Sequence, residues 1–186
     1  MVLRRAGKLL MLRRSMTMPF ARGMFVFPGG GLAQVDRQSA DPWRACAIRE
    51  TFEEVEIEVS DCVLFDRWIT PEIEDRRYDV AFFLADVDTD GRLVTTEADE
   101  MVWLSPMAAL EQHRAGLLPL LRPTLVVLED LAAHRVATSA NSVVPKLPRR
   151  RPDGRWDVID ASSGRVLMTV EDGPTTTETE GVGDVT

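Results

Sequence analysis

One segment, residues 24–57, constrains the fold of this chain more than any other. The apolar stretch Met24–Phe27 leads into Pro28 and three glycines, a combination that ends a strand. After a polar loop, Asp41 and Pro42 are typical of a helix N-cap and of the first helical position. The segment therefore predicts a strand, a glycine-rich loop and a helix in close succession.

The predicted helix carries a concentration of acidic side chains. On an α-helix, Glu50, Glu53 and Glu54 fall within roughly 100° of one another on one side. Arg49 precedes Glu53 by one turn and is placed to pair with it at i, i+4. The apolar side chains that we expect to pack on a sheet are Ala45, Ile48, Phe52 and Val55.

Two interpretations of these carboxylates are open. The carboxylates repel one another, and they lie in the C-terminal half of the helix, where the macrodipole disfavours anions. A divalent cation would remove both costs, because Mg²⁺ prefers hard oxygen ligands and Mn²⁺ accepts the same set. The alternative is an acidic face exposed to solvent, which an RExxEE pattern by itself does not exclude.

Strands and helices follow no regular alternation along the rest of the chain. We predict strands over residues 8–14, 62–69, 78–87 and 101–104, and helices over residues 105–115 and 123–134. Residues 137–153 are predicted as a connection, 156–170 as a β-hairpin and 171–186 as a disordered tail. This order favours an α+β domain over residues 1–136, a C-terminal extension over residues 137–170, and the tail.

Composition argues against several classes of protein. The chain contains no run of 18 apolar residues, so the sequence predicts no transmembrane helix and no membrane partner. A net charge of −8, and a basic N-terminal region without interleaved aromatic residues, argue against a nucleic-acid partner. Cys46 and Cys62 form no CxxC motif, and no signal sequence is recognisable, so we expect reduced thiols and a cytoplasmic location.

The FPGG strand followed by the RETFEE helix resembles the signature of the Nudix hydrolases. That family's pattern reads G-x5-E-x7-R-E-U-x-E-E-x-G-U, where U is an aliphatic or small residue. The residues that match it are Arg49, Glu50, Thr51, Glu53, Glu54 and Ile57. The resemblance implies an α/β/α sandwich with a mixed β-sheet and a metal-binding helix.

The chain departs from the family pattern in two respects. The glycine and first glutamate positions hold Val35 and Asp41, so the loop after the FPGG motif is longer than the basic pattern. The glycine near the end of the helix is Glu56 here. That glycine supplies a left-handed C-cap, and glutamate in such a conformation costs on the order of 1 kcal/mol.

Segments around the motif are similar to the coenzyme A and acyl-coenzyme A diphosphatase branch of the family. These segments are MLRRS…FVFPGG, RWITPEIEDRRYDVAFFLADV, EADEMVWLSPMAAL and RPTLVVLEDLA, within about residues 8–134. The resemblance implies hydrolysis of a diphosphate linkage in a small nucleotide. The alternatives are a Nudix enzyme acting on ADP-ribose, NADH or a nucleoside triphosphate, and a non-catalytic module that binds nucleotides.

The resemblance also implies roles for individual residues of the helix and of a later loop. Glu50, Glu53 and Glu54 would hold Mg²⁺ or Mn²⁺, and Arg49 would orient Glu53. A further catalytic carboxylate would come from Glu97, Asp99 or Glu100, of which Glu100 is preferred because it adjoins a strand. For each of these three acids, the alternative is a solvated loop.

A second set of residues is predicted to bind the phosphates of the substrate. Arg14 and Arg22 flank the expected cleft, and the backbone N–H groups of Gly29 and Gly30 permit close approach. Surface solubility is the alternative role for the arginines. The resemblance also raises a homodimer as the form of the protein.

Overall fold

The computed structural model describes residues 1–70, 78–135 and 143–170 of the 186-residue chain. The predicted tail over residues 171–186 lies outside the described residues. The strands are β1 (Val2–Arg5), β2 (Lys8–Arg14), β3 (Phe25–Val26), β4 (Val63–Ile69), β5 (Asp79–Asp86), β6 (Ala98–Leu104), β7 (Lys146–Arg150), β8 (Trp156–Asp160) and β9 (Val166–Val170). The helices are α1 (Pro42–Val55), α2 (Pro106–Arg114) and α3 (Arg122–Ala132).

The strands form one mixed sheet in the order β3-β2-β1-β5-β4-β7-β8-β9, and β6 also pairs with β2. β1 runs parallel to β5, and β4 runs parallel to β7. The other pairings are antiparallel. Because β1 is short, the sheet opens beyond its first residue, between the end of β3 and the start of β5.

Each face of the sheet packs against helices. Phe82 and Phe83 are neighbours on β5, and they point into two different cores. One core contains side chains of α2 and α3, such as Leu110 and Leu128. The other contains Ala47 and Val55 of α1. This arrangement confirms the α/β/α sandwich with a mixed sheet that the sequence predicted.

Helix α1 begins as the sequence predicted. The Oδ1 of Asp41 accepts a hydrogen bond from the backbone N–H of Arg44 at 3.1 Å, and Pro42 is the first helical residue. The helix ends where Glu56 adopts a left-handed conformation, with φ 52° and ψ 35°. The left-handed C-cap expected at the position of the family's glycine is therefore present with glutamate in its place.

The predicted packing face of α1 is correct at Ile48 and Val55, which pack into the core on this side of the sheet, and wrong at Phe52. Phe52 is 49% exposed, whereas Thr51 is fully buried. Burial of Thr51 is inexpensive because its hydroxyl donates to the carbonyl of Ala47 at 2.7 Å. The helix is therefore rotated so that Glu50 and Glu54 turn inward rather than toward solvent.

Two strands were absent from the prediction. β1 lies between β2 and β5, and β7 falls inside residues 137–153, which were predicted as a connection. β8 and β9 pair as the predicted hairpin. The Nζ of Lys146 on β7 lies 2.7 Å from the carboxylate of Asp66 on β4 and joins this region to the sheet. The boundaries at residues 136 and 170 remain predictions.

No helix in the described part of the chain combines the length and the apolar character that a membrane crossing requires.

Candidate active site

A cleft of about 420 Å³ opens beside Met1, beyond the first residue of β1. Its walls come from the glycine loop, the first half of α1, the start of β5 and the start of α3. The lining residues include Arg14, Pro28, Gly29, Gly30, Gly31, Trp43, Cys46, Tyr78, Val80, Phe82, Leu121 and Thr124. The cleft therefore has an apolar body, with the polar backbone of the glycine loop at one side.

The glycine loop contacts the carboxylates of α1 directly. The backbone N–H of Gly29 donates to Oε2 of Glu54 at 2.8 Å, and Gly29 has a φ of 151°, which favours glycine. A Cβ added to Gly30 would collide with the carboxylate of Glu50. Gly29 thus adopts the backbone conformation, and Gly30 leaves the space, that let the loop lie against Glu54 and Glu50.

Burial gives Glu54 an unusual proton affinity. Burial raises the pKa of this carboxyl from 4.5 to about 7, against the lowering effect of the Gly29 N–H. The negative charges of Glu50 and Glu97 raise the pKa of Glu54 further. The surroundings of Glu54 therefore disfavour its negatively charged form.

Arg49 is the centre of an ion-pair network beneath the cleft. Its Nη1 donates to Glu50 at 2.8 Å and to Glu53 at 2.9 Å. Its Nε and Nη2 donate to the two carboxylate oxygens of Asp36 at 3.0 and 2.8 Å. A further hydrogen bond, at 3.2 Å, reaches the carbonyl of Gly31. Arg49 therefore fixes the positions of two predicted metal ligands and of the glycine loop.

The sequence analysis assigned no role to Asp36, which anchors this network. Its side chain is 2% exposed and belongs to a short 3-10 turn over Asp36–Gln38. The hydrogen bonds from Arg49 are the main reason that the pKa of Asp36 is lowered to about 2. Asp41, at the position of the family's first glutamate, is instead the helix cap. The only signal for this role in the sequence was that Asp36 is an acid in the lengthened loop. Its spacing from the helix does not match the family pattern.

The donor chemistry of the cluster fits a hard divalent cation. Glu50, Glu53 and Glu54 offer carboxylate oxygens on two turns of one helix, and the Met1 ammonium acts on the charge of Glu54 without cancelling the effect of its burial. Across residues 1–70, 78–135 and 143–170, no three acid, histidine or cysteine side chains converge closely enough to hold a metal. Arg49 draws Glu50 and Glu53, whereas Gly29 holds Glu54. These contacts explain why the carboxylates do not converge.

The structure does not bring Glu100 to this cluster. Glu100 lies 2.8 Å from Arg13 on the neighbouring strand. Along β6, Met101 and Trp103 face the core beside α1, so Glu100 points to the opposite face. Glu97, in contrast, acts electrostatically on Glu54.

The two predicted phosphate-binding arginines differ in position. Arg14 lines the cleft and donates from Nε to the carbonyl of Phe20 at 3.1 Å. Arg22 is not among the described residues that line the cleft, and its Nε donates to the carbonyl of Met18 at 2.7 Å. The structure thus brings Arg14, Gly29 and Gly30 to one cleft and leaves Arg22 outside it.

The loop between β5 and β6 completes the end of α1. The backbone N–H groups of Arg92 and Val94 donate to the carbonyls of Val55 and Glu54, at 2.8 and 2.9 Å. The guanidinium of Arg92 also contacts the carboxylate of Glu56 at 2.7 Å. These contacts satisfy helix carbonyls that would otherwise lack partners and hold the backbone of Glu54 in place.

Comparison with known proteins identifies the family. The model of the NUDIX domain matches residues 1–122 of this chain, and the chain therefore belongs to the NUDIX family. "Putative nudix hydrolase 7" of Caenorhabditis elegans is 26% identical over 164 residues. That match covers 67% of this chain, and the chain spans 56% of the length of that curated relative.

Solved structures show the same fold. A NUDIX hydrolase from Alicyclobacillus acidocaldarius is 23% identical with a TM-score of 0.66, and the match covers 76% of this chain and 93% of that one. A MutT protein from Bacillus halodurans is 17% identical with a TM-score of 0.57, covering 90% and 92% of the two chains. The NUDIX domain of Shewanella oneidensis NrtR, crystallised with ADP ribose, is 16% identical with a TM-score of 0.55, covering 72% and 83%.

Proposed function

We propose that this protein is a metal-dependent hydrolase that cleaves the diphosphate linkage of a nucleoside-diphosphate derivative. The observation that carries the proposal is the contact between the glycine loop and two carboxylates of α1. Gly29 donates to Glu54, and Gly30 leaves room for Glu50. Phosphate oxygens bound at such a loop would lie next to carboxylates suited to a cation.

Glu50, Glu53 and Glu54 are the residues that would hold Mg²⁺ or Mn²⁺. Such an ion, when bound, neutralises phosphate oxygens and lowers the pKa of a bound water molecule. Arg49 keeps Glu53 in place, and Asp36 keeps Arg49 in place. The chain thus supplies three carboxylates on one helix and holds Glu53 in position, and positioning is the main requirement of phosphoryl chemistry.

A carboxylate from the loop before β6 would serve as base or as an additional ligand. We propose Glu97 for this role in place of Glu100. The charge of Glu97 acts on Glu54, whereas Glu100 pairs with Arg13 on the other face of the sheet. Glu97→Gln should therefore lower the turnover number more than Glu100→Gln does.

Coenzyme A or an acyl-coenzyme A is the substrate that we propose. Support comes from the segments similar to that branch of the family and from the size and apolar lining of the cleft. Trp43 and Tyr78 lie on its wall and offer aromatic surfaces to a base or to an acyl-bearing arm. Arg14 is the side chain placed to meet phosphate, and Arg22 is not included.

Hydrolysis of a substrate panel by the purified protein tests this proposal. The panel contains coenzyme A, an acyl-coenzyme A, ADP-ribose, NADH and a nucleoside triphosphate, each with Mg²⁺ or Mn²⁺, and mass spectrometry identifies the products. Release of adenosine 3′,5′-bisphosphate from a coenzyme A substrate is expected. Turnover of another diphosphate alone would keep the enzyme and refute the substrate. Nucleotide binding without turnover would identify a binding module.

The cellular compartment and the oligomeric state of the protein are also proposals. Cys46 and Cys62 are free, buried thiols, which suits a reducing compartment such as the cytoplasm. Light scattering after size exclusion decides between a monomer and a homodimer.

A further inference from the structure

The first turn of α3 lies in the cleft, beside the strand that leads into the glycine loop. The backbone N–H of Phe25 on β3 donates to the carbonyl of Pro119 at 2.9 Å. Phe25 also forms an isolated parallel β-bridge with Leu120. Leu121 and Thr124 consequently line the same cleft as the glycine loop. The first turn of α3 therefore forms part of the cleft wall.

This helix begins without a cap. Its N-cap residue is Leu121, which has no side-chain oxygen, and Pro123 has no N–H group to offer. The backbone N–H of Thr124 has no carbonyl partner within the described ranges. The helix contains 11 residues, so its first turn carries the positive end of a substantial dipole.

The hydroxyl of Thr124 is a second and independent sign of a missing ligand. The side chain is 4% exposed, yet its hydroxyl makes no hydrogen bond to any residue that the structure describes. Most polar groups on buried side chains are hydrogen-bonded within the protein, so a hydroxyl without a protein partner is available to another molecule. The oxygen is not sealed from solvent, and Thr124 lines the cleft, so a bound molecule can reach it.

Arg122 adds a cation to the same turn. It is the first residue of α3, and its Nε is buried with no hydrogen-bond partner in the described chain. Arg122 is not among the described residues that line the cleft, so its contribution here is the positive charge that it adds to the turn. A helix N-terminus, a free hydroxyl and a guanidinium are the groups that bind phosphate in proteins. Without metal, the carboxylates of α1 repel phosphate at the glycine-loop end of the cleft. A phosphate group therefore binds more favourably at the end formed by the first turn of α3.

We propose that the first turn of α3 is a second phosphate site, which takes a phosphate monoester of the same nucleotide whose diphosphate lies at the glycine loop. The substrate class is then a nucleoside-diphosphate derivative with an additional phosphate on its ribose. The identity of the substrate rests on the proposed function, whereas the affinity of the turn for a phosphate monoester does not.

Calorimetric titration without metal tests this site independently of turnover. The probes are adenosine 3′,5′-bisphosphate and adenosine 5′-phosphate, which differ by one phosphate monoester. The wild-type protein should bind the bisphosphate about tenfold more tightly. Thr124→Val should bring the two affinities close together, and Thr124→Ser should restore the preference. Thr89→Val makes the same change at an exposed turn and should leave the preference intact.

Three outcomes overturn the proposal: equal affinities in the wild-type protein, equal weakening of both ligands in Thr124→Val, or no binding of either ligand. Arg122→Gln provides a second test if Thr124→Val does not fold, and it should also lower the preference for the bisphosphate. Failure of the proposed function looks different. The preference for the bisphosphate would persist, while no diphosphate in the substrate panel is hydrolysed.

Discussion

Both carboxylate oxygens of Asp36 accept hydrogen bonds from Arg49, at 3.0 Å from Nε and 2.8 Å from Nη2. This bidentate pair is largely buried, and it is the link between the lengthened loop and the helix that carries the acidic cluster. Arg49 in turn holds Glu50 and Glu53. Asp36 therefore acts on the predicted metal ligands through another side chain, as a positioning residue.

Removal of the charge at Asp36 should disturb the cluster. In Asp36→Asn, one of the two hydrogen bonds to Arg49 loses its acceptor, and Arg49 no longer fixes Glu53. We expect the turnover number to fall about 10- to 100-fold, as for other partners that orient metal ligands. Steady-state kinetics at saturating Mg²⁺ measures this effect. Asp61→Asn is the matched control, since Asp61 pairs with Arg44 in solvent, and normal turnover is expected there.

Gly30 and Gly31 should respond differently to the addition of a methyl group. A Cβ at Gly30 would collide with the carboxylate of Glu50, whereas a Cβ at Gly31 would meet no atom within 4 Å. We expect Gly30→Ala to weaken Mn²⁺ binding at least about tenfold. Gly31→Ala should bind Mn²⁺ as the wild-type protein does. Electron paramagnetic resonance titration of free Mn²⁺ compares the two, and equal affinities would refute the contact between the loop and Glu50.

The raised pKa of Glu54 predicts how stability depends on pH in the absence of metal. Burial raises this pKa from 4.5 to about 7, so the folded protein binds more protons than the unfolded chain between these values. Stability should therefore fall as the pH rises through this window, by on the order of 2 kcal/mol. Urea denaturation of Glu54→Gln should lack this fall. Added Mg²⁺ at pH 8 should stabilise the wild-type protein and not the variant.

Local sequence patterns predicted most elements, because the information for them is local. Asp41 and Ser105 both cap helices, as the residue types at those positions suggest. β1 and β7 were missed because their sequences, VLRR and KLPRR, are short and basic, and each becomes a strand only through distant partners. β1 is stabilised by pairing with Leu84–Asp86 of β5, and β7 is stabilised by pairing with Trp156–Asp160 of β8.

The site was predicted unevenly for a related reason. The helix motif identified the acidic cluster, but the orientation of the helix depended on a buried threonine rather than on the more apolar Phe52. The role of Asp36 depended on the path of a loop whose length differs from the family pattern. The position of Glu100 depended on which face of β6 it occupies. None of these three features follows from residue type and spacing alone.

The left-handed Glu56 predicts a stabilising substitution. Glycine adopts its φ of 52° without steric cost, so Glu56→Gly should raise the free energy of unfolding by about 1 kcal/mol. The substitution also removes the ion pair with Arg92, but that pair is exposed and contributes little. Urea denaturation measures the difference. Arg92→Gln, which breaks the ion pair alone, should change the stability by less than Glu56→Gly does.

The most direct test of the proposed chemistry is the metal dependence of coenzyme A hydrolysis by the wild-type protein and by Glu53→Gln. Glu53 is 56% exposed, so the variant should fold, and Glu58→Gln is a matched control at an exposed acid outside the cluster. We predict turnover with Mg²⁺ or Mn²⁺, none after chelation with EDTA, and a loss of roughly a hundredfold or more in Glu53→Gln only. Turnover that survives EDTA, or that is equal in the two variants, would contradict a metal-dependent reaction at this cluster.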